Sequence, residues 1–266
     1  MSTTGRPPGR AATGTAWYVY GVVPAETPLS LFGGVRGIGD VVRMVTDGRL
    51  GAVVSEVPLA QFDDDSLAAN LHDPVWLEAN VRRHDAVLGA LVRDVPVVPF
   101  RFGTIYRSED HVRAMLVEHA GLTDVLETLR GRIELGVKGF LAAPSEAPTE
   151  TGEEGEGSAG RRCLEQKQQA RRAAEEREAL LARTADEAHA RLAEVAEAAR
   201  ANPVQPREVS DGDREMFLNA AYLVRIDGEE RFRRTLAALE SELGAAGITF
   251  ELIGPWPPYN FVEVDA

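Results

Sequence analysis

The chain has 266 residues with 29 Lys and Arg against 42 Asp and Glu, so its formal net charge is −13. This acidic balance, without a basic stripe, argues against nucleic-acid binding, which depends on clustered Lys and Arg that release counterions from phosphates. Hydrophobic residues make up 44% of the chain, an ordinary share for a globular protein, and no apolar stretch approaches the roughly 18 residues of a membrane span.

Residues 1–15 contain arginines but no apolar segment, so we expect a disordered tail rather than a signal peptide. A single cysteine, Cys163, cannot form an internal disulfide, which fits the reducing cytoplasm. The length allows either one large domain or two smaller ones. We therefore expect a cytoplasmic protein with neither a membrane nor a nucleic acid as its partner.

The first half of the chain, residues 16–130, mixes strand and helix signals. A β-rich run over 17–23 predicts the first strand. The Asp47-Gly48 pair between two short β-branched runs predicts a hairpin, because glycine adopts left-handed turn geometry at little cost. These signals, with the helices that follow, predict an N-terminal α+β domain.

Three helices are predicted after this hairpin. Asp73 and Pro74 provide an N-cap carboxylate and a proline at the first helical position. His84 lies within the apolar face of the helix that follows. Ser108 caps a second helix, and a third covers residues 123–129. Between the first two helices, prolines confine an extended stretch to a sheet edge or a bulge.

A strand with one buried face is predicted over 133–141, and beyond it the composition changes. Residues 143–160 lack packing residues and predict a flexible acidic loop. Residues 161–200 are rich in Ala, Glu and Arg, without Pro or Gly, and predict a long helix. Asn202 and Pro203 are expected to stop it.

The remaining elements complete a familiar order. We expect an extended stretch near 204–209, a strand over 216–226, a helix with an apolar face over 232–243 and a strand over 248–252. The order from the first strand of this half is therefore β-α-β-β-α-β. Short connections and right-handed crossovers favour a ferredoxin-like domain over residues 131–266.

No motif in the sequence specifies an enzyme, a metal site or a cofactor. Five histidines occur, but none forms the i, i+4 pair with a glutamate that zinc peptidases use. The lone cysteine cannot make a thiolate cluster. His84 has two open interpretations: a core histidine whose ring nitrogens meet backbone carbonyls or a nearby carboxylate, or a ligand or catalytic group.

Two further runs contain residue types that can bind a ligand, but neither has the spacing that such a site requires. The glycine-rich run over 33–39 lacks the ending of a phosphate-binding loop, so we interpret it as a flexible loop. Asp63, Asp64 and Asp65 lack the alternating ligands of a calcium loop, so we interpret them as a solvated acidic turn. Cys163 has no partner histidine nearby in sequence and is interpreted as an inert thiol.

The first candidate binding cluster consists of Phe100, Arg101 and Phe102. They lie in the extended, proline-containing stretch after the first long helix. A guanidinium between two aromatic side chains is suited to bind a buried carboxylate through two hydrogen bonds. We therefore predict Arg101 as an anchor for such a group.

The second candidate cluster is the C-terminal segment 254–262, which carries Trp256, Tyr259 and Phe261 among three prolines. One interpretation is a strand extension that packs across the domain junction. The other is a partner-binding segment, because aromatic rings on a stiff backbone make interface anchors at low entropic cost.

Both clusters belong to a series of motifs spread along the chain. The series comprises Tyr18-Val19-Tyr20-Gly21-Val22-Val23, His84-Asp85-Ala86-Val87-Leu88, Val98-Pro99-Phe100-Arg101-Phe102-Gly103-Thr104, Glu134-Leu135-Gly136-Val137-Lys138, Gly160-Arg161-Arg162-Cys163-Leu164, Leu223-Val224 and Gly254-Pro255-Trp256-Pro257-Pro258-Tyr259-Asn260-Phe261. In this order they resemble the gas vesicle protein F/L family (GvpF/GvpL) over nearly all of the chain from Trp17 onward. One departure is Cys163, where an aromatic residue is more typical.

The resemblance implies a minor or accessory gas vesicle protein with no catalytic residues. Such proteins bind the small hydrophobic shell protein and help to nucleate or assemble the gas-filled compartment, so the expected partners are the shell protein and other accessory proteins. The resemblance also implies two α+β domains with a ferredoxin-like C-terminal half. Two other hypotheses stay open: a small-molecule-binding protein or enzyme with a pocket near His84 and Arg101, and a scaffold that self-associates through the long helix.

Overall fold

The computed structural model describes residues 14–39, 41–142, 159–204 and 214–262. Contacts divide the chain into two compact units. The first runs to Glu134 and also includes the chain from Pro255 onward, and the second is Leu135–Gly254. The sequence placed everything beyond residue 131 in the second domain, whereas the contacts group the C-terminal segment with the first unit.

The first unit is built on an antiparallel sheet. Its strands are β1 (Thr15–Pro24), β2 (Arg43–Thr46), β3 (Leu50–Pro58), β4 (Val98–Pro99) and β5 (Ile105–Tyr106). They follow the order β2-β3-β1-β4, and β5 also pairs with β1. Strand β1 therefore lies at the centre of the sheet, which explains why it is buried along most of its length.

The hairpin predicted around Asp47 and Gly48 is confirmed as β2 and β3. Gly48 has a φ of 102°, a conformation that glycine adopts without steric cost. The Asp47 Oδ1 accepts hydrogen bonds from the backbone N–H groups of Arg49 and Leu50, both at 2.8 Å. The turn is therefore specified by its own residues.

Five helices complete the first unit. They are α1 (Leu59–Phe62), α2 (Asp64–Asn70), α3 (Pro74–Gly89), α4 (Glu109–Glu118) and α5 (Leu122–Leu129). Both predicted N-caps are confirmed, since Asp73 accepts from the backbone N–H groups of Val75 and Trp76 and Ser108 accepts from that of His111.

Interpreting Asp63, Asp64 and Asp65 as a solvated turn was wrong. Asp63 is the N-cap of α2, and its Oδ1 accepts from the backbone N–H of Ser66 at 2.8 Å. The two aspartates that follow lie in the first turn, where negative charge interacts favourably with the helix dipole. The run of three carboxylates is thus a helix start.

The second unit has the predicted order of strands and helices. Its elements are β6 (Arg132–Ala142), α6 (Ala159–Ala193), β7 (Ala198–Ala201), β8 (Arg214–Arg225), α7 (Glu229–Leu243) and β9 (Ile248–Trp256). The strands form a second sheet in the order β7-β8-β6-β9. Its core is supplied mainly by the strands and by buried residues of the two helices: Leu181, Ala188, Leu192, Phe232, Leu236 and Leu239.

Two boundaries in this unit differ from the prediction. Helix α6 ends at Ala193 rather than near residue 200, and strand β7 covers Ala198–Ala201. These alanines pair with residues 220–223 of β8, so sheet pairing overrides their high helix propensity. The extended stretch expected near 204–209 falls, from residue 205 onward, outside the described residues.

The tail predicted over 1–15 and the loop predicted over 143–160 lie almost wholly outside the described residues. The exceptions are Gly14 and Thr15, which lead into β1, and the first two residues of α6. None of the described helices is both long enough and apolar enough to cross a membrane.

Candidate functional site: a C-terminal aromatic segment on a buried histidine

Two tyrosines of β1 form the centre of the first unit. Because successive strand residues point to opposite faces, Tyr18 and Tyr20 lie on the same face of the sheet. Both side chains are fully buried, and their ring centroids are 4.9 Å apart. The Tyr20 hydroxyl donates to Ser55 Oγ at 2.9 Å and accepts from the backbone N–H of Ile38 at 2.7 Å. One tyrosine is thus bonded to the sheet itself.

The second tyrosine reaches helix α3. His84 is only 2% exposed, and its Nδ1 is hydrogen-bonded to the Tyr18 hydroxyl at 2.8 Å. That hydroxyl also accepts from the backbone N–H of Gly103 at 3.1 Å. The ring of Phe102 packs edge-on against His84 at a centroid distance of 5.9 Å. His84 is therefore a core histidine, with tyrosine hydroxyls as its partners in place of the carbonyl or carboxylate expected.

The C-terminal segment 255–262 occupies the other side of the imidazole. The Tyr259 hydroxyl is hydrogen-bonded to His84 Nε2 at 2.9 Å. In a neutral imidazole one ring nitrogen donates and the other accepts. One of the two tyrosine hydroxyls therefore donates to the ring while the other accepts from it, and Tyr18, His84 and Tyr259 form one continuous hydrogen-bonded chain.

Burial determines the charge state of the three hydrogen-bonded side chains, Tyr18, His84 and Tyr259. It lowers the pKa of His84 to about 4, because a buried imidazolium would lose its hydration. For the same reason burial raises the pKa of Tyr18 and of Tyr259 above the ordinary range of a phenol. Near neutral pH all three groups are uncharged, which suits a structural connection.

A buried carboxylate provides a second attachment for the segment. Glu134, at the start of β6, accepts from the backbone N–H of Asn260 at 2.9 Å and from Asn260 Nδ2 at 2.6 Å. Burial raises the pKa of Glu134, and the two hydrogen bonds from Asn260 oppose that shift. The carboxylate thus holds two donors of the segment close to the point where Tyr259 is bound.

The segment turns its apolar rings outward. Pro257 and Pro258 are buried, whereas Trp256 is 39% exposed and Tyr259 is 37% exposed. Phe261 is half-buried. Tyr259 therefore combines an engaged hydroxyl with an accessible ring, and the outer face of the segment is aromatic.

The other predicted cluster is divided by the fold. Phe100 is buried and its backbone N–H donates to the Tyr20 carbonyl at 2.8 Å, while Phe102 joins the rings around His84. Arg101 is exposed, so among the described residues it does not anchor a buried carboxylate, and its expected role in binding a partner stays a prediction. The carboxylate that is buried here, Glu134, is bound by Asn260 instead.

The geometry does not support a ligand pocket formed by His84 and Arg101. Both imidazole nitrogens are engaged by tyrosine hydroxyls, and the guanidinium lies at the surface. Within the described ranges, no group of three or more His, Cys, Asp or Glu side chains is positioned to hold a metal ion. The residues that the sequence did not single out for this site are Tyr18, Tyr20, Glu134 and Asn260.

The fold and the candidate site together indicate a protein that binds another macromolecule. The chain combines helices with two antiparallel sheets, and its candidate site presents aromatic rings on a fixed backbone. Such a site is suited to binding another macromolecule.

The comparisons give the family. Residues 16–263 match the family model described as gas vesicle synthesis protein GvpL/GvpF, and the chain belongs to this family. It is 33% identical over 235 residues to gas vesicle protein L of Streptomyces sp., covering 87% of each chain. It is 24% identical to gas vesicle protein F1 of Halobacterium salinarum, covering 93% of this chain and 92% of the relative. The family is a gas vesicle family and is not known as a family of enzymes.

Solved structures show the same fold. The crystal structure of the gas vesicle protein GvpF from Anabaena sp. superposes with a TM-score of 0.68 at 18% identity, covering 95% of this chain and 98% of that chain. GvpF from Microcystis aeruginosa superposes with a TM-score of 0.57 at 17% identity. The arrangement of helices and sheets is therefore similar in these proteins although their sequences are only 17–18% identical to this chain.

Proposed function

We propose that this gas vesicle protein is a cytoplasmic assembly factor that binds the hydrophobic shell protein and assists nucleation or assembly of the vesicle. The observation that carries the proposal is the exposed aromatic face of Trp256 and Tyr259 on a segment fixed to the core. Other accessory proteins of the vesicle are further expected partners. The family resemblance supports this class of partner, and the exposed rings support this choice of surface.

A fixed aromatic surface favours binding because little freedom is lost when the partner arrives. Two buried prolines stiffen the segment, and the bonds from His84 and Glu134 hold its register. Large aromatic side chains that are already ordered give contact area at a low entropic cost. The Trp256 and Tyr259 rings are thus suited to contact the apolar surface of a shell subunit before it polymerises.

The negative charge of the chain supports the same role. A carrier of a sticky subunit must itself stay dispersed, and a net charge of −13 opposes association through mutual repulsion. Exposed apolar patches on a free shell subunit would otherwise aggregate. The acidic surface and the aromatic segment therefore serve complementary needs.

We also infer that the second unit is a ferredoxin-like domain. Its β-α-β-β-α-β order and its strand order, β7-β8-β6-β9, support this assignment. These two observations also support our inference that this domain begins near residue 131.

The test is co-expression with the shell protein followed by affinity capture. We expect the wild-type chain to retain the shell protein and Trp256→Ala to reduce the captured amount about tenfold, the size of effect typical of an anchor residue. The matched control is Val75→Ala, which removes an exposed apolar side chain from α3 in the same unit. The proposal fails if both folded proteins do not co-purify at low or moderate salt.

A further inference from the structure

Most side chains in one half of helix α6 are exposed. Every side chain from Gln166 to Glu176 is exposed, and fully buried positions begin only at Leu181. At about 1.5 Å per residue, the stretch from Gln166 to Leu180 is roughly 22 Å long. A helix of this length is marginal in water unless something else stabilises it.

The charges on this stretch are separated along the helix. Basic residues precede the centre, and acidic residues follow it. The basic residues are Lys167, Arg171 and Arg172, the centre is Ala173 and Ala174, and the acidic residues are Glu175, Glu176 and Glu178. Arg177 interrupts the acidic half, but its Nη2 is paired with Glu215 of β8 at 2.8 Å.

The helix itself does not account for this order. The macrodipole acts mainly within the first and last turns of a helix, and this stretch lies between them, so the dipole does not impose the order. Among the described side chains of this stretch, one ion pair lies within the helix, that of Arg171 Nε with Glu175 at 2.8 Å. Exposed pairs at this spacing stabilise a helix by only about 0.3–0.5 kcal/mol. The charge separation therefore has its natural complement outside the chain.

We propose that the exposed half of α6, residues 166–180, is a dimerisation surface whose occupant is a second copy of this chain in antiparallel orientation. A two-fold axis near Ala173 and Ala174 places each basic half beside the acidic half of the other copy. The parallel orientation would put like charges side by side. Such an interface is self-complementary, as two-fold symmetry requires.

The size of the surface sets the strength of the interaction. Two helical stretches of this length bury less area than the roughly 1,200 Å² typical of stable interfaces. The attraction comes largely from exposed charges, which salt screens over about 8 Å at physiological ionic strength. We therefore expect a reversible dimer that weakens as salt is raised. No shell protein is needed for it, so this inference stands apart from the proposed function.

Paired charge reversals test the surface. One variant carries Arg171→Glu and Arg172→Glu, and the other carries Glu175→Arg and Glu176→Arg. In sedimentation velocity we expect each variant alone to dimerise at least about tenfold more weakly than wild type, and an equimolar mixture to regain the dimer. The control, Arg82→Glu with Arg233→Glu, makes the same charge change at exposed arginines that, like Arg171, pair with a Glu one helical turn away.

Cross-linking tests the orientation. In a Cys163→Ala background, Ala173→Cys should oxidise to a covalent dimer across the axis, whereas Lys167→Cys should not. Far-UV circular dichroism verifies that each variant keeps its helix. The proposal is overturned if wild type stays monomeric up to its solubility limit, if the mixture of reversals does not restore the dimer, or if Lys167→Cys cross-links as readily as Ala173→Cys. Binding of this face only to the shell protein would also overturn it.

Discussion

His84 connects three parts of the first unit through one aromatic ring. Its Nδ1 meets Tyr18 of β1, its Nε2 meets Tyr259 of the C-terminal segment, and its face packs against Phe102. A residue at such a junction contributes by satisfying buried polar groups that would otherwise lose their hydrogen bonds. The predictions at this scale therefore concern what happens when one partner is removed or charged.

The first prediction concerns the pH dependence of stability. The pKa of His84 is about 4 in the folded chain and returns to about 6.5 on unfolding. As the pH falls from 6.5 to 4, His84 becomes protonated in the unfolded state but stays neutral in the folded state. The free energy of unfolding therefore falls, by up to about 3 kcal/mol. In urea titrations at several pH values, the stability advantage of wild type over His84→Gln should shrink over this window.

The comparison with His84→Gln isolates the imidazole from other titrating groups. Burial raises the pKa of Asp85 and of Glu134, and their contributions are lost as the pH rises, the opposite direction. Both groups are present in both proteins, so their effects cancel in the difference. A pH-independent difference between the two proteins would show that His84 is not protected from protonation.

The second prediction distinguishes Tyr259, whose hydroxyl attaches the C-terminal segment to the core, from Trp256, whose ring is exposed. Tyr259→Phe removes the hydroxyl and leaves the buried Nε2 of His84 without its partner, which should cost about 1–3 kcal/mol. Trp256→Ala changes an exposed side chain and should alter the free energy of unfolding by no more than about 0.5 kcal/mol. Urea unfolding measures both. A larger loss for Trp256→Ala would mean that its ring packs rather than presents a surface.

At the scale of elements, local signals specified the starts of α3 and α4 better than they specified the end of α6 or the position of strand β7. Asp73 and Ser108 act on backbone groups two or three residues away, so their caps were readable from the sequence. Strand β7 depends on pairing with β8, about 20 residues further along the chain. Its alanines carry a helical propensity that only the neighbouring strand overrides.

The third prediction concerns the contact of β1 with β4. A Cβ at Gly21 would lie 2.6 Å from the carbonyl oxygen of Val98, so Gly21→Ala should force the strands apart and destabilise the protein by about 1–3 kcal/mol. The control is Gly89→Ala, the last residue of α3, where a Cβ meets open space. That substitution should leave the melting temperature unchanged or raise it. Equal effects at the two positions would contradict the close approach.

For the molecule as a whole, the chain's last described segment belongs to the unit formed by its first half. The contacts of Tyr259 and Asn260 are the bonds that hold it there. Removing the segment therefore strips polar partners from the core of one unit and takes from the sheet of the other only the last two residues of β9. The consequence should be confined to one unit.

The fourth prediction follows from that division. A chain that stops after Gly254 should show faster amide hydrogen exchange in β1 and α3, because His84 and Glu134 lose their partners. Exchange in β8 should be unchanged, since the second unit keeps its own core. Exchange measured by mass spectrometry resolves the two regions. Equal acceleration in both would show that the segment supports the whole chain.

Dimerisation through α6 would also change capture at this scale. If both proposals hold, a particle with two copies carries two C-terminal aromatic segments, and its second contact with the same growing shell becomes intramolecular. Effective concentrations in such linked binding reach the millimolar range, which strengthens retention without any new contact. The combination suits a protein that gathers subunits at one place.

What the sequence by itself determined was local or cumulative: the hairpin at Asp47, the helix caps, the β-α-β-β-α-β order and the family. Each of these rests on side chains that act on near neighbours, or on motifs that add up along the chain. The tertiary structure alone decided that Tyr259 meets His84 across 175 residues and that Asn260, rather than Arg101, binds the buried carboxylate. Such contacts depend on which surfaces are brought together when the core closes, and no periodicity in the chain encodes that.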